Sequence, residues 1–268
     1  MSATKFRMKL LNLHSEQKLS QIMPHYFNIN YQFSIPDIHK RIEAAINTDA
    51  PSYICVADGN ILQKVHRDPE YRKVVDGALF SICDSSWVPL YIKKIYGVQY
   101  GQYSGSAIFD DITRAARYRQ CFLGGSEDVL AALRDKLMAI DPAIAGMRFE
   151  ALPFADVDSF DYPAIAETVN REAPDIIWVS LGAPKQEIFM SKLKPYLNRG
   201  VMIGVGAVFN FRSGIAERRA PQWAVKSHLE FVWRLFSDPR KQWPRVRNII
   251  TALPSIIREE KRRARMCP

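Results

Sequence analysis

Val179 to Met190 reads VSLGAPKQEIFM, and Val201 to Pro221 reads VMIGVGAVFNFRSGIAERRAP. The first stretch is an apolar run that breaks into Leu-Gly-Ala-Pro, where a helix-like segment carrying Lys185, Gln186 and Glu187 begins. The second breaks into a glycine-rich turn and then Arg-Arg-Ala-Pro. Together they read as two strand-to-helix units with polar groups at the strands' carboxyl ends. Open α/β sheets bind their ligands at that edge.

Working outward, the same alternation fills most of the chain. YICVAD (53–58), ALFSICD (78–84) and RQCFLGG (119–125) are short apolar runs of strand length. Between them lie segments of helical period. DIHKRIEAAINT puts Ile38, Ile42, Ala45 and Ile46 on one face, and SEDVLAALRDKLMAI opens on a serine cap with two acids in its first turn. Asn60 through Val75 reads as one helix. The pattern predicts an α/β fold, a mostly parallel sheet with helices on both faces. Residues 1–35 show little periodicity and are expected to be an extension, 36–212 the α/β core, and 213–268 a basic C-terminal appendage. Pro244 and Pro254 are expected to break that appendage into short helices.

The chain has 268 residues, 47% hydrophobic and 24% charged, which suits a soluble globular protein. No apolar run reaches the roughly 20 residues that span a bilayer, and no leader peptide is expected. Cys55, Cys83, Cys121 and Cys267 form no CxxC pair, and three of them sit inside apolar runs. They are expected to be free thiols in a reducing cytoplasm. Residues 211–268 hold 14 Lys and Arg against 5 Asp and Glu, whereas residues 1–210 hold 23 of each. A basic segment beside Trp223, Leu229, Phe231, Val232 and Leu235 suggests an anionic membrane surface, or equally a helical pair packed on the core. No nucleic-acid motif accompanies it, so no nucleic-acid partner is expected.

Several motifs are candidates for chemistry. Gly124 and Gly125 precede a helix start, where backbone N–H groups favour a phosphate, though a plain turn has the same signature. GVGAVF (204–209) lacks the third glycine, and a helix straight after it, that a dinucleotide fingerprint needs. Asp156 and Asp158 lie in a polar loop and read as turn residues. The five histidines have no ligand spacing, and no metal or other cofactor is expected. Asp84 ends a strand just before Ser85-Ser86-Trp87, a place from which a carboxylate can take a proton from a hydroxyl or cap a helix.

The series LGAPKQE, GVGAVFNFRSG, RRAP and LEFVWRLFSDPRKQW resembles the WecG/TagA/CpsF glycosyltransferases over roughly residues 36–247. Their pattern there runs LG-x-PKQE, GVG-x-x-F-[DN]-x-x-x-G, RAP and LEW-x-x-RL-x-x-[ED]P-x-R. The resemblance implies a Rossmann-like fold with a basic appendage that closes the site. It implies an inverting transferase of bacterial surface-polysaccharide assembly on the cytoplasmic face of the inner membrane, held peripherally. The donor would be a UDP-sugar and the acceptor a sugar on a polyprenyl diphosphate. A non-catalytic membrane-associated assembly subunit is the alternative.

Carried over residue by residue, the resemblance makes Asp84 the catalytic base, since the family's ADG falls on Cys83-Asp84-Ser85. A literal Ala57-Asp58-Gly59 exists, but its spacing to Gly105 does not fit. Gln186, beside Lys185, matches the substrate-binding glutamine. Arg219, Arg234 and Arg245 match the basic positions, with Arg218, Arg240 and Lys241 close by. Asp58, Gly124, Gly125 and Gly206 complete the expected substrate contacts. Departures fall at Val56 and Asp58, where the family carries Thr-x-Asn, and at Gln102 and Ala107, where it carries Arg and Asp.

Overall fold

The computed structural model describes residues 24–48, 50–215 and 239–266, with side chains of the last segment from residue 243 onward. Eight strands form one sheet: β1 (His25–Tyr26), β2 (Ile29–Gln32), β3 (Ser52–Ala57), β4 (Phe80–Cys83), β5 (Gln120–Gly124), β6 (Arg148–Glu150), β7 (Ile176–Ser180) and β8 (Val201–Gly204). Their order across the sheet is β1-β2-β4-β3-β8-β7-β5-β6. Only β1 and β2 pair antiparallel; every other pair is parallel. The carboxyl ends of β3, β4, β5, β7 and β8 therefore share one edge.

The strands alternate between two cores as period-two geometry requires. Tyr53, Cys55 and Ala57 of β3 face one cluster, while Ile54 and Val56 face the other. The second face is covered by α1 (Ile35–Ile46), α5 (Gly105–Ala115), α6 (Glu127–Met138) and α9 (Val208–Ser213). The first is covered by α2 (Gly59–Arg67), α3 (Pro69–Asp76), α4 (Val88–Tyr96), α7 (Tyr162–Glu172), α8 (Lys185–Leu193) and part of α10 (Pro239–Met266). The four residues expected on the inner face of α1 are the four it buries. The α/β fold with helices on both faces is thus observed.

Several details depart from the sequence reading. Asn60 to Val75 is two helices, because Asp68 accepts from the Glu70 and Tyr71 amides and Pro69 occupies the first helical position. That pairing starts a new helix. A six-residue helix, α9, does follow the glycine turn at 204–206. Residues 25–32, placed in an extension, pair into the sheet, and Ile29 and Tyr31 are fully buried. Pro244 and Pro254 lie inside one 28-residue helix. Packing outweighs the missing amide at Pro254, since Ala252 and Ile256 on either side of it belong to the core. Ala252, Ile256 and Glu260 of α10 are thus buried against the rest of the fold.

Candidate functional site at the carboxyl edge of the sheet

From β3 the chain steps to β4 on one side, then crosses to β5, β6, β7 and β8 on the other. Such a reversal leaves a crevice at the carboxyl edge beside β3. Ala57 pairs with Cys83, so Asp58 and Asp84 stand one residue beyond two neighbouring strand ends. The Asp84 amide donates to Ala57 O at 3.0 Å. Both acids are half-buried.

Their surroundings give them different work. Asp58 Oδ1 accepts from the Asn60 and Ile61 amides at 2.9 and 3.0 Å, capping α2. Asp84 Oδ1 accepts from the Gly105 amide at 3.0 Å, at the first residue of α5. The positive end of that helix and its N–H orient the carboxylate. A Cβ at Gly105 would sit 3.3 Å from Val56 Cγ1, a tight contact to which that side chain would have to yield. Gln102 Nε2 also donates to the Asp84 carbonyl.

The PKQE segment folds around the end of β8. Gln186 is 3% exposed, and its Oε1 accepts from the Gly206 amide at 2.9 Å. Its Nε2 donates to Glu187 Oε1 at 2.8 Å. Glu187 is fully buried, and Tyr71 OH donates to its Oε2 at 3.0 Å. Burial, with a smaller push from the nearby Asp58 charge, raises the Glu187 carboxyl to about 7. The side chain of Gln186 therefore orders the β8 turn, and the glutamate below it holds the glutamine. Lys185 turns the other way: its ammonium donates to Ala155 O and lies 4.9 Å from the Phe160 ring centre.

Gly124 and Gly125 both have positive φ, and a Cβ on Gly124 would stand 2.7 Å from Ser180 O. They form the turn from β5 into α6, at the same edge as Gly206, whose φ is +59°. Arg245 is exposed on α10, four residues before Ile249, whose side chain covers Gly59. Residues four apart share a helix face, so Arg245 projects from the side of α10 that meets the β3–α2 turn. Arg218, Arg219 and Arg234 lie outside the described residues, as do the side chains of Arg240 and Lys241. The structure thus gathers Asp58, Asp84, Gly124, Gly125, Gln186 and Gly206 at one edge, while Arg245 is exposed on α10 one turn before the residue that packs on Gly59. Among the described residues no three His, Cys, Asp or Glu side chains are grouped to hold a metal ion.

Sequence reading missed several groups here. Asn60 Nδ2 donates to Ala183 O at 3.3 Å, tying the β3 turn to the β7 turn beside the cis Ala183–Pro184 bond. The Tyr103 amide donates to Cys83 O at 2.9 Å, fastening the loop before α5 to the end of β4. The signal available for Glu187 was its position one residue past Gln186 on a helix that must pack on the sheet.

The arrangement is a crevice with two carboxylates, Asp58 and Asp84, held by amides at helix starts, glycine turns at the ends of β5 and β8, and α10 packed on the β3–α2 turn. Such a crevice can bind a phosphorylated ligand and take a proton from a hydroxyl. Residues 26–266 match the model of the glycosyl transferase WecG/TagA/CpsF family. Two relatives are each named N-acetylglucosaminyldiphosphoundecaprenol N-acetyl-beta-D-mannosaminyltransferase. The one from Bacillus spizizenii is 26% identical over 217 residues, 80% of this chain and 82% of its own. The one from Bacillus subtilis is 24% identical over 246 residues, 88% of this chain and 93% of its own. With a family match across nearly its whole length, this chain belongs to the WecG/TagA/CpsF family of glycosyl transferases.

Proposed function

We propose that this protein is an inverting transferase that moves a hexose or N-acetylhexosamine, or its uronic acid, from a UDP-sugar to a saccharide carried on a polyprenyl diphosphate. The observation that carries the reading is Asp84, held at the end of β4 by the Gly105 amide of α5, 3.0 Å from its Oδ1. In this scheme the acceptor hydroxyl gives its proton to the Asp84 carboxylate as its oxygen bonds to the anomeric carbon. The bond from that carbon to the diphosphate breaks on the opposite face, and UDP leaves with the electron pair. The names of the two relatives support an acceptor of the N-acetylglucosaminyl-diphospho-lipid class.

Charge developing on the departing diphosphate calls for cations, and a guanidinium pairs phosphate oxygens in bidentate fashion. Arg245, with Arg218, Arg219, Arg234 and Arg240, fills that role in the reading. Gly124 and Gly125 offer the β5–α6 turn to the donor phosphates, and Gln186 shapes the floor by holding the Gly206 amide.

A lipid-linked acceptor puts the site at the cytoplasmic membrane surface. No helix among the described residues is long and apolar enough to cross a membrane. Peripheral contact is supported by the outer face of α4. Trp87 and Leu90 are 45% and 47% exposed there, and Lys94 follows on the same face. Trp243 and Ile250 on α10 are likewise exposed beside arginines.

The test is Asp84→Asn, assayed by UDP release with membrane-bound polyprenyl-diphosphate acceptor and a panel of UDP-sugars. Loss of the base should cut turnover by about 10²- to 10⁴-fold with the fold intact. Turnover within a few-fold of the parent would remove Asp84 from this role, and no UDP release with any donor would remove the transferase reading.

A further inference from the structure

Tyr103 ends an unbroken chain of polar contacts that nothing in the reaction scheme uses. Its ring is 4% exposed, buried beside the sheet. Its hydroxyl donates to Asp111 Oδ2 at 2.7 Å and lies 3.0 Å from His39 Nε2. Because the hydroxyl hydrogen is committed to Asp111, the tyrosine oxygen must accept from an Nε2–H of His39. An imidazole supplies that donor in its Nε2–H tautomer and also when protonated. Three elements thus hold one hydroxyl: α1 through His39, α5 through Asp111, and the loop that bears the tyrosine.

That loop is the one that grips Asp84. The Tyr103 amide donates to Cys83 O at 2.9 Å. Gln102 Nε2 donates to Asp84 O, and the Gly105 amide reaches Asp84 Oδ1 at 3.0 Å. Residues 102–105 therefore contact the strand end at three successive points. Two of these involve Asp84 itself, and the tyrosine lies between them. The Gly105 amide holds the carboxylate directly, so a shift of the loop moves a group that orients Asp84.

We propose that Tyr103 is a positioning residue for the Asp84 carboxylate, with its hydroxyl clamped between His39 and Asp111 so that the loop 102–105 presents the Gly105 amide at a fixed place. The proposal rests on the reading of Asp84 as the base. It assigns Tyr103 no contact with substrate. A misplacement of about 1 Å costs on the order of 10²-fold in rate, so a partial loosening has a measurable effect without any change in binding.

The experiment compares Tyr103→Phe, Asp111→Ala, Asp111→Asn and Asp84→Asn in the full chain, reading kcat and KM for the donor separately, with melting temperature alongside. Tyr103→Phe keeps the packed ring and removes only the clamp. It should lower kcat about 10-fold or more with KM for the donor within two-fold. Asp111 is exposed, so its variants keep the fold even where Tyr103→Phe does not. Asp111→Ala should lower kcat in the same way, Asp111→Asn should recover most of it through its amide oxygen, and Tyr103→Phe with Asp111→Ala should be no worse than Tyr103→Phe alone. If Asp84→Asn is inactive while Tyr103→Phe and Asp111→Ala keep kcat within two-fold of the parent, the clamp has no role and Asp84 stands. If Asp84→Asn retains turnover, the base assignment fails and the clamp fails with it.

Discussion

Replacing Glu187 by glutamine should change how stability responds to pH. An unfolded glutamate titrates near 4.5, and the buried Glu187 near 7. The folded chain therefore holds this proton more tightly than the unfolded one. The stabilisation is fully present below pH 4.5 and is lost as pH rises to about 7. At about 1.4 kcal/mol per pH unit, the whole interval amounts to about 3 kcal/mol, most of it between pH 5 and pH 8. Glutamine has the same shape and no titration. Its oxygen can still accept from Gln186 Nε2, and its amide can donate to the Tyr71 oxygen. Urea unfolding of both chains at half-unit steps from pH 5 to pH 8 reads the difference. Groups remote from position 187 contribute equally to both, so subtraction isolates Glu187 together with its coupling to Asp58. The midpoint of the parent should fall relative to Glu187→Gln by about 1 M urea across that range. Parallel curves would refute the reasoning, because they would mean that Glu187 is ionised in the folded chain at pH 5 at no cost.

Gly124→Ala should destabilise the chain by about 3 kcal/mol in urea unfolding, since φ is +99° and the new Cβ meets Ser180 O at 2.7 Å. Gly146→Ala, where nothing lies within 4 Å, should stay within about 1 kcal/mol of the parent. Trp87→Glu combined with Leu90→Glu should weaken sedimentation with vesicles of anionic phospholipid several-fold while leaving melting unchanged; unchanged sedimentation would move the membrane contact away from α4.

The alternation of apolar runs and amphipathic stretches made the layers legible, because burial on both faces forces continuous apolar strands in a parallel sheet. The strand-end positions of Asp84, Gly124 and Gly206 followed from the same logic. The strand order did not, since nothing local says that β8 inserts beside β3. The hairpin at 25–32 was missed because two- and four-residue strands are too short to show a period. The role of Gln186 was only half visible: its neighbourhood to ligand-facing turns could be read, its burial against Gly206 could not. His39, Tyr103 and Asp111 lie 64 and 8 residues apart along the chain, and only the fold joins them.

The partners of the edge hairpin have a consequence for the order in which the chain can fold. Asn28 is 5% exposed, and its Nδ2 donates to Glu259 Oε1, 231 residues away. Arg263 reaches His25 Nδ1 and Asn28 Oδ1 from the same helix. On a ribosome, the hairpin emerges long before the helix that completes it. Pairing β2 with β4 leaves the buried side-chain amide of Asn28 without these partners until α10 arrives. The hairpin can pair with β4 as soon as that strand is made, so through most of synthesis it is the polar side chain of Asn28, and not a strand edge, that waits for its partners. The buried Glu260, bonded to Tyr96 OH at 2.8 Å, then docks the helix that supplies them.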